Sequence, residues 1–130
     1  MIIQSYKLPF AKINILSESI AEVIINENVE MTLDMVNHYH EFLLTHLVSP
    51  FSLLINKINS YTYDFEAQLN LATLKEINVM AVVAYTRTTV VSTESLNSSI
   101  PRTVDWKLKI YSNRDEALNW LELEQLKLTK

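Results

Sequence analysis

The stretch Pro50-Phe51-Ser52-Leu53-Leu54-Ile55-Asn56 decides how this chain folds, because a short apolar run directly follows a helix-stopping proline. Proline cannot continue a helix. An apolar run of this length reads as a strand covered on both faces, as in parallel sheets with helices on either side. Val79-Met80-Ala81-Val82-Val83-Ala84-Tyr85 repeats the pattern and predicts a second buried strand. Upstream of Pro50, Leu33, Val36, His40, Leu43 and Leu47 recur at steps of three and four, with Tyr39, Leu44 and Val48 widening the stripe. That period predicts an amphipathic helix from Thr32 to Val48, with Thr32 as its N-cap and Asp34 at the positive end of its dipole.

Further upstream, the Ile- and Val-rich segments Lys12 to Ser17 and Ile20 to Asn26, separated by the polar break Ser17-Glu18-Ser19, predict a β-hairpin. Downstream of Asn56, a polar loop runs from Lys57 to Tyr63. Asp64 then caps a helix expected to reach about Ile77, with Phe65, Leu69, Ala72 and Ile77 toward the core. Arg87 to Ser99 is expected to be helical, and Trp106 to Tyr111 alternates as a strand with one solvated side. Asn113-Arg114-Asp115-Glu116 has the form of a capping box, and Ala117, Leu118, Leu121 and Gln125 or Leu126 make the apolar stripe of a last helix. The expectation is an α/β fold, β-β-α-β-α-β-α-β-α, with a mostly parallel central sheet flanked by helices, in a single domain spanning residues 1–130.

Composition narrows the chemistry. The chain holds no glycine, where an average usage of about 7% would supply roughly nine. Phosphate-binding loops, the dinucleotide fingerprint and the nucleophile elbow all place glycine where the backbone turns sharply or approaches a ligand, so none can be written here. With no cysteine, thiolate catalysis, disulfides and thiolate metal sites are excluded too. A net charge of -4 and the lack of a basic cluster argue against nucleic acid. No run approaches the roughly 20 apolar residues of a membrane span, so the expectation is a cytoplasmic protein without an integral membrane segment.

The element order, together with Lys109-Ile110-Tyr111-Ser112-Asn113-Arg114-Asp115-Glu116-Ala117-Leu118-Asn119-Trp120-Leu121, resembles the STAS and SpoIIAA-like domains, particularly the small bacterial proteins of STAS/SEC14 type. In the anti-sigma-factor antagonists of that group, a strand ending in Asp leads through a loop to Asp-Ser-Ser-Gly, whose second serine accepts phosphate. Leu53-Leu54-Ile55-Asn56 resembles that strand, and Asp64-Phe65-Glu66-Ala67 stands in place of the tetrapeptide. Only Asp64 matches. Glu66 takes the acceptor position and Ala67 the glycine position, so the resemblance implies a domain of this type without its usual phospho-acceptor.

Candidate chemistry is sparse. His38, His40 and His46 share one expected helix, but residues two or six apart do not converge on a metal, and no metal or cofactor is expected. Asp115-Glu116 and Glu122 to Glu124 suit a helix start and a solvated face. No serine sits in a nucleophile-presenting turn, and no catalytic residue is assigned. Tyr61, Tyr63 and Phe65 alternate beyond the carboxyl end of a parallel strand, where open α/β sheets place ligands. The expected partner or ligand surface is therefore Asn59, Ser60, Tyr61, Thr62, Tyr63, Asp64, Phe65 and Glu66, with Ser60 and Thr62 offering hydroxyls. Two functions follow: a non-enzymatic regulatory domain binding a protein partner there, or a SEC14-like binder of a lipid or small apolar ligand. Either suits a homodimer built on the hairpin edge or an apolar helix face.

Overall fold

A computed structural model describes residues 2–70, 74–99 and 107–128. Its strands are β1 (Gln4–Leu8), β2 (Ala11–Ser17), β3 (Ile20–Ile25), β4 (Glu30–Met31), β5 (Phe51–Asn56), β6 (Thr62–Tyr63), β7 (Ile77–Val83) and β8 (Lys107–Tyr111). Its helices are α1 (Leu33–His46), α2 (Phe65–Asn70), α3 (Arg87–Ser99) and α4 (Arg114–Lys127). The main sheet has six strands in the order β1-β2-β3-β5-β7-β8, and β4 pairs with β6 in a separate two-stranded ribbon. β1, β2 and β3 pair antiparallel, whereas β3–β5, β5–β7 and β7–β8 are parallel. The sheet is mixed, its two antiparallel pairings forming the N-terminal meander and its other three being parallel.

Every residue of β5 is buried, and its two faces explain the layers. Leu53 and Ile55 join Ile13, Val23 and Val82 in the larger core, packed under Val36, Tyr39 and Leu43 of α1. Leu54 joins Ile20, Val79, Ala81 and Val83 under Ala117 and Leu121 of α4. α1 and α4 thus cover opposite faces. Thr32 caps α1 by accepting from Met35 N, and Asn113 caps α4 by accepting from Glu116 N at 3.1 Å. Gln125 clamps the far end of α4. It accepts from Ser52 Oγ at 2.5 Å and from Asn78 Nδ2 at 3.0 Å, and donates to the Pro50 carbonyl at 3.1 Å. Among the described residues the backbone takes positive φ outside glycine at Asn28 alone, at 63°. Asparagine tolerates that region best after glycine, so a glycine-free chain turns its one left-handed corner with it.

Several expectations need correction. Gln4–Leu8 forms an edge strand, β1, which the β-β-α order omitted, and the loop before α2 contains β6. The helix capped by Asp64 does not run to Ile77. Its described part ends at Asn70, and the chain turns at Lys75–Glu76 so that Ile77 opens β7 opposite Phe51. Strand pairing thus claims the apolar residue that helical spacing had placed in α2. Phe65 and Leu69 are exposed, and Ala67 is the α2 residue that turns inward. Ala72 and Trp106 lie outside the described residues. Tyr85 falls beyond β7 and is exposed, as are Leu44 and Val48 on the margin of α1 and Leu126 on α4.

Leu121 is fully buried while Leu123 on the same helix is 59% exposed. Truncating a packed leucine leaves a cavity. Leu121→Ala is expected to lower stability by about 3 kcal/mol in urea unfolding, and Leu123→Ala by less than about 0.5 kcal/mol.

Candidate functional site

Between the sheet and the helices on the α1 face lies a cavity of about 50 Å³. Its floor is aliphatic, from Val23, Leu53, Ile55, Met80 and Val82. Polar atoms enter at a few points: His40 from α1, Lys57 just after β5, Tyr61 and Tyr63 around β6, and Thr93 from α3. Each is placed by an element that sequence pattern explains. His40 occupies the apolar stripe of α1, so the helix turns it inward. Lys57 follows β5 and is held by its own backbone, which donates to the Val83 carbonyl at 3.0 Å. The loop carrying the tyrosines is laced to the segment before α1: Thr62 N donates to Val29 O at 2.9 Å, and Asp64 N to Met31 O at 2.9 Å.

The tyrosine rings meet edge to face, with centroids 5.6 Å apart, and Tyr63 Oη contacts Tyr61 Oη at 3.5 Å. Burial pushes both phenols above their ordinary range, so they stay neutral. Lys57 Nζ donates to Thr93 Oγ1 at 3.1 Å and lies 5.7 Å from the Tyr61 ring centre. The Thr93 hydroxyl in turn donates a hydrogen bond to the Thr89 carbonyl at 2.8 Å. Burial pulls the Lys57 ammonium down to about 8. His40 is 8% exposed, its Nε2 has no hydrogen-bond partner, and burial pulls the imidazole down to about 4. A neutral ring nitrogen is therefore buried unsatisfied in a residue that lines an apolar space, and such a group costs free energy. The cavity volume is several times what one water needs.

On the other face of the sheet, Glu22 is buried in β3 at the foot of α4. Its carboxylate accepts from Arg114 Nε at 2.8 Å and Nη2 at 3.0 Å, from Asn56 Nδ2 at 2.9 Å and from Asn14 Nδ2 at 3.1 Å. Ser5 Oγ extends the chain by donating to Asn14 Oδ1 at 2.7 Å. Burial alone would raise the Glu22 carboxyl, but the hydrogen bonds from Arg114, Asn56 and Asn14 outweigh it and hold it below its ordinary range. The arrangement fastens the first turn of α4 to β2, β3 and β5.

The residues expected to form one surface divide. Tyr61 and Tyr63 line the cavity, whereas Ser60, Thr62, Phe65 and Glu66 are exposed, Phe65 at 74%. Asn59 ties the loop to β3 by donating to the Ile25 carbonyl at 3.0 Å, and Ser60 N donates to Glu27. Asp64 is the α2 cap, accepting from Ala67 N at 2.8 Å. The histidines part company: His38 lies against Phe10, and His46 stacks on Phe42 at 4.0 Å. Trp120 packs near Tyr111, with Lys109 Nζ 5.0 Å from its ring centre. Lys57 and Glu22 were not singled out. A lone charge in the run Ile20-Ala21-Glu22-Val23-Ile24-Ile25 was the signal for Glu22, and a lysine abutting a fully apolar strand was the signal for Lys57.

With its layers and strand order described, the molecule can be compared with solved structures. It superposes on a crystal structure from Shewanella loihica PV-4, an uncharacterised protein of the DUF3478 family with a SpoIIAA-like fold. The TM-score is 0.58 over 91% of this chain and 98% of that one. The fold is SpoIIAA-like. At 18% identity the likeness concerns the SpoIIAA-like architecture alone. No protein-family model matches the sequence, and no curated protein matches it.

Removing one partner of a buried ion pair leaves the other charge uncompensated. Arg114→Met is expected to cost about 2 kcal/mol at pH 7, the low end for such pairs because Arg114 retains solvent contact. Glu22 titrates below its ordinary value, so its contribution is complete above about pH 4.5 and disappears as pH falls through its folded value. Urea unfolding should show the deficit of Arg114→Met shrinking on acidification. A deficit unchanged between neutral and acid pH would rule out this assignment.

Proposed function

We propose that the protein is a non-enzymatic binding domain that holds a small, largely apolar molecule between the sheet and the α1 and α3 helices. The observation that carries this is an aliphatic cavity with a few polar side chains at its edge, among them His40, whose Nε2 is buried without a partner. Small-molecule sites are concave, mostly apolar and furnished with a few placed polar groups, and the cavity has that composition. A ligand offering one hydrogen-bonding group satisfies His40 while its carbon skeleton covers Met80 and Val82. The enclosed volume admits a group of a few carbons, far less than the roughly 150 Å³ that an engineered cavity offers benzene. A six-carbon chain exceeds this volume and is accommodated by extending past Lys57 or by displacing α3. Thr93 is the buried residue among the described side chains of α3, and Lys57 bonds to its hydroxyl.

A second reading, a regulatory domain that binds a protein partner, draws on different atoms. Phe65 and Ile58 are 74% and 64% exposed on either side of the tyrosine loop, and exposed aromatic and aliphatic side chains favour partner contact. In this reading Glu66 replaces the phospho-acceptor, and the contact is not switched by phosphate there. No helix of the described residues is long and apolar enough to cross a membrane.

Enlarging the cavity wall separates the two. Val82→Leu adds one methylene into the open space, so the variant should keep its melting temperature while its affinity for 1-hexanol, followed by ligand-observed NMR, falls at least about tenfold. Phe65→Ser should leave hexanol binding unchanged. The reverse pattern, with hexanol indifferent to Val82→Leu and sensitive to Phe65→Ser, would move the site to the outer surface.

A further inference from the structure

Resting on the ligand-binding reading above, we propose that the bound molecule is a short-chain carboxylic acid in its ionised form, with its hydrocarbon chain in the cavity and its carboxylate at Lys57. The cavity has a neighbour. An open groove of about 430 Å³ runs past the carboxyl ends of β5 and β7, walled by hydroxyl groups from Ser60, Tyr85, Thr86, Thr89 and Ser92. Lys57 and Tyr61 line both spaces, so the lysine stands at the boundary between an aliphatic compartment and a polar one. A molecule spanning that boundary is apolar at one end and polar at the other.

The sign of the polar end follows from what Lys57 lacks. Lys57 is half-buried, and charges drawn away from water favour a partner, yet among the described residues no carboxylate lies within ion-pair distance of Lys57 Nζ, whose polar contact is the neutral Thr93 hydroxyl. An anion supplies the missing partner. The first turn of α3 reinforces it, since Thr86 caps that helix by accepting from Thr89 N at 3.1 Å, and a helix start carries partial positive charge. Among the described residues that line the two spaces, Lys57 is the one with a full charge. One ammonium matches a monoanion better than a phosphate dianion, and a carboxylate is the monoanion that most simply ends a hydrocarbon chain. At the other end of the ligand the unsatisfied His40 Nε2 is available to a hydroxyl or keto group on the chain.

Hexanoate and 1-hexanol, equal in chain length and different in charge, test this by titration calorimetry on the full chain at pH 7. Hexanoate is expected to bind at least about tenfold more tightly than hexanol, the scale of one charge-assisted hydrogen bond. Lys57→Met keeps the aliphatic stem and should abolish that preference, bringing the hexanoate affinity down to the hexanol affinity measured on the same variant. Should the variant fail to fold, the wild type decides through pH. Lys57 loses its proton above about 8, so hexanoate affinity should decline steadily from there toward pH 10, and hexanol affinity should not. The neighbouring phenols Tyr39, Tyr61 and Tyr63 are held neutral through that window by burial, and His40 titrates far below it. Equal affinities for the two probes, or a preference that survives Lys57→Met, overturn the carboxylate while leaving the pocket standing. Binding of neither probe overturns the pocket reading itself.

Discussion

Six consecutive buried residues, Phe51 to Asn56, run through the middle of the sheet, and each face of that strand commits a different part of the molecule. Leu53 and Ile55 floor the cavity under α1, while Ser52, Leu54 and Asn56 receive α4 through Gln125, Leu121 and the Glu22 cluster. Because successive side chains alternate faces, a one-residue slip of β5 would carry Asn56 and Ser52 into the aliphatic cavity and strip Glu22 of a hydrogen bond. The polar cluster thus makes register costly to change, in addition to the area of apolar contact. Its position at the foot of α4 leaves the opposite face free of structural charge, apart from Lys57.

That division bears on function. The face with α4 is closed: its buried carboxylate finds a guanidinium and two amides, and the helix is capped at the start and clamped at the end. Among the described residues the face with α1 is less complete: a histidine nitrogen lacks a partner, a lysine lacks a counter-ion, and Thr93 is the buried described side chain of α3. Asn56 Oδ1 is likewise unsatisfied within the Glu22 cluster on the α4 face, so what sets the α1 face apart is its cavity rather than unpaired atoms alone. α3 is built largely of Thr, Val and Ser, residues of modest helix propensity.

Much of the architecture was legible in the sequence. β5, α1 and both helix caps appear where apolar runs, a three-to-four-residue period and capping side chains put them, because each signal is local. β1 escaped because Gln4-Ser5-Tyr6-Lys7-Leu8 is a half-solvated edge strand with too few apolar residues to show an alternation. The overlong α2 arose because Leu69, Ala72 and Ile77 satisfy a loose helical spacing, whereas Ile77 is taken by pairing with Phe51, a contact between distant segments. The site divided for the same reason. Tyr61 and Tyr63 were found, and Phe65 was grouped with them by alternation, but α2 begins at Phe65 and the change of period turns its ring outward. Lys57 with Thr93, and Glu22 with Arg114, are 36 and 92 residues apart. No local pattern announces them.

The most direct measurement uses the chain's own methionines. Met31 and Met80 line the cavity, whereas Met35, one helical turn into α1, packs against the core without lining it. In a protein carrying ¹³C-labelled methionine methyl groups, titration with hexanoate should move the Met31 and Met80 signals together along one saturable curve and leave Met35 in place. Met31 and Met80 signals that stay fixed up to the solubility limit of the probe, or shifts confined to other methyls, would contradict the account of this face as a ligand site.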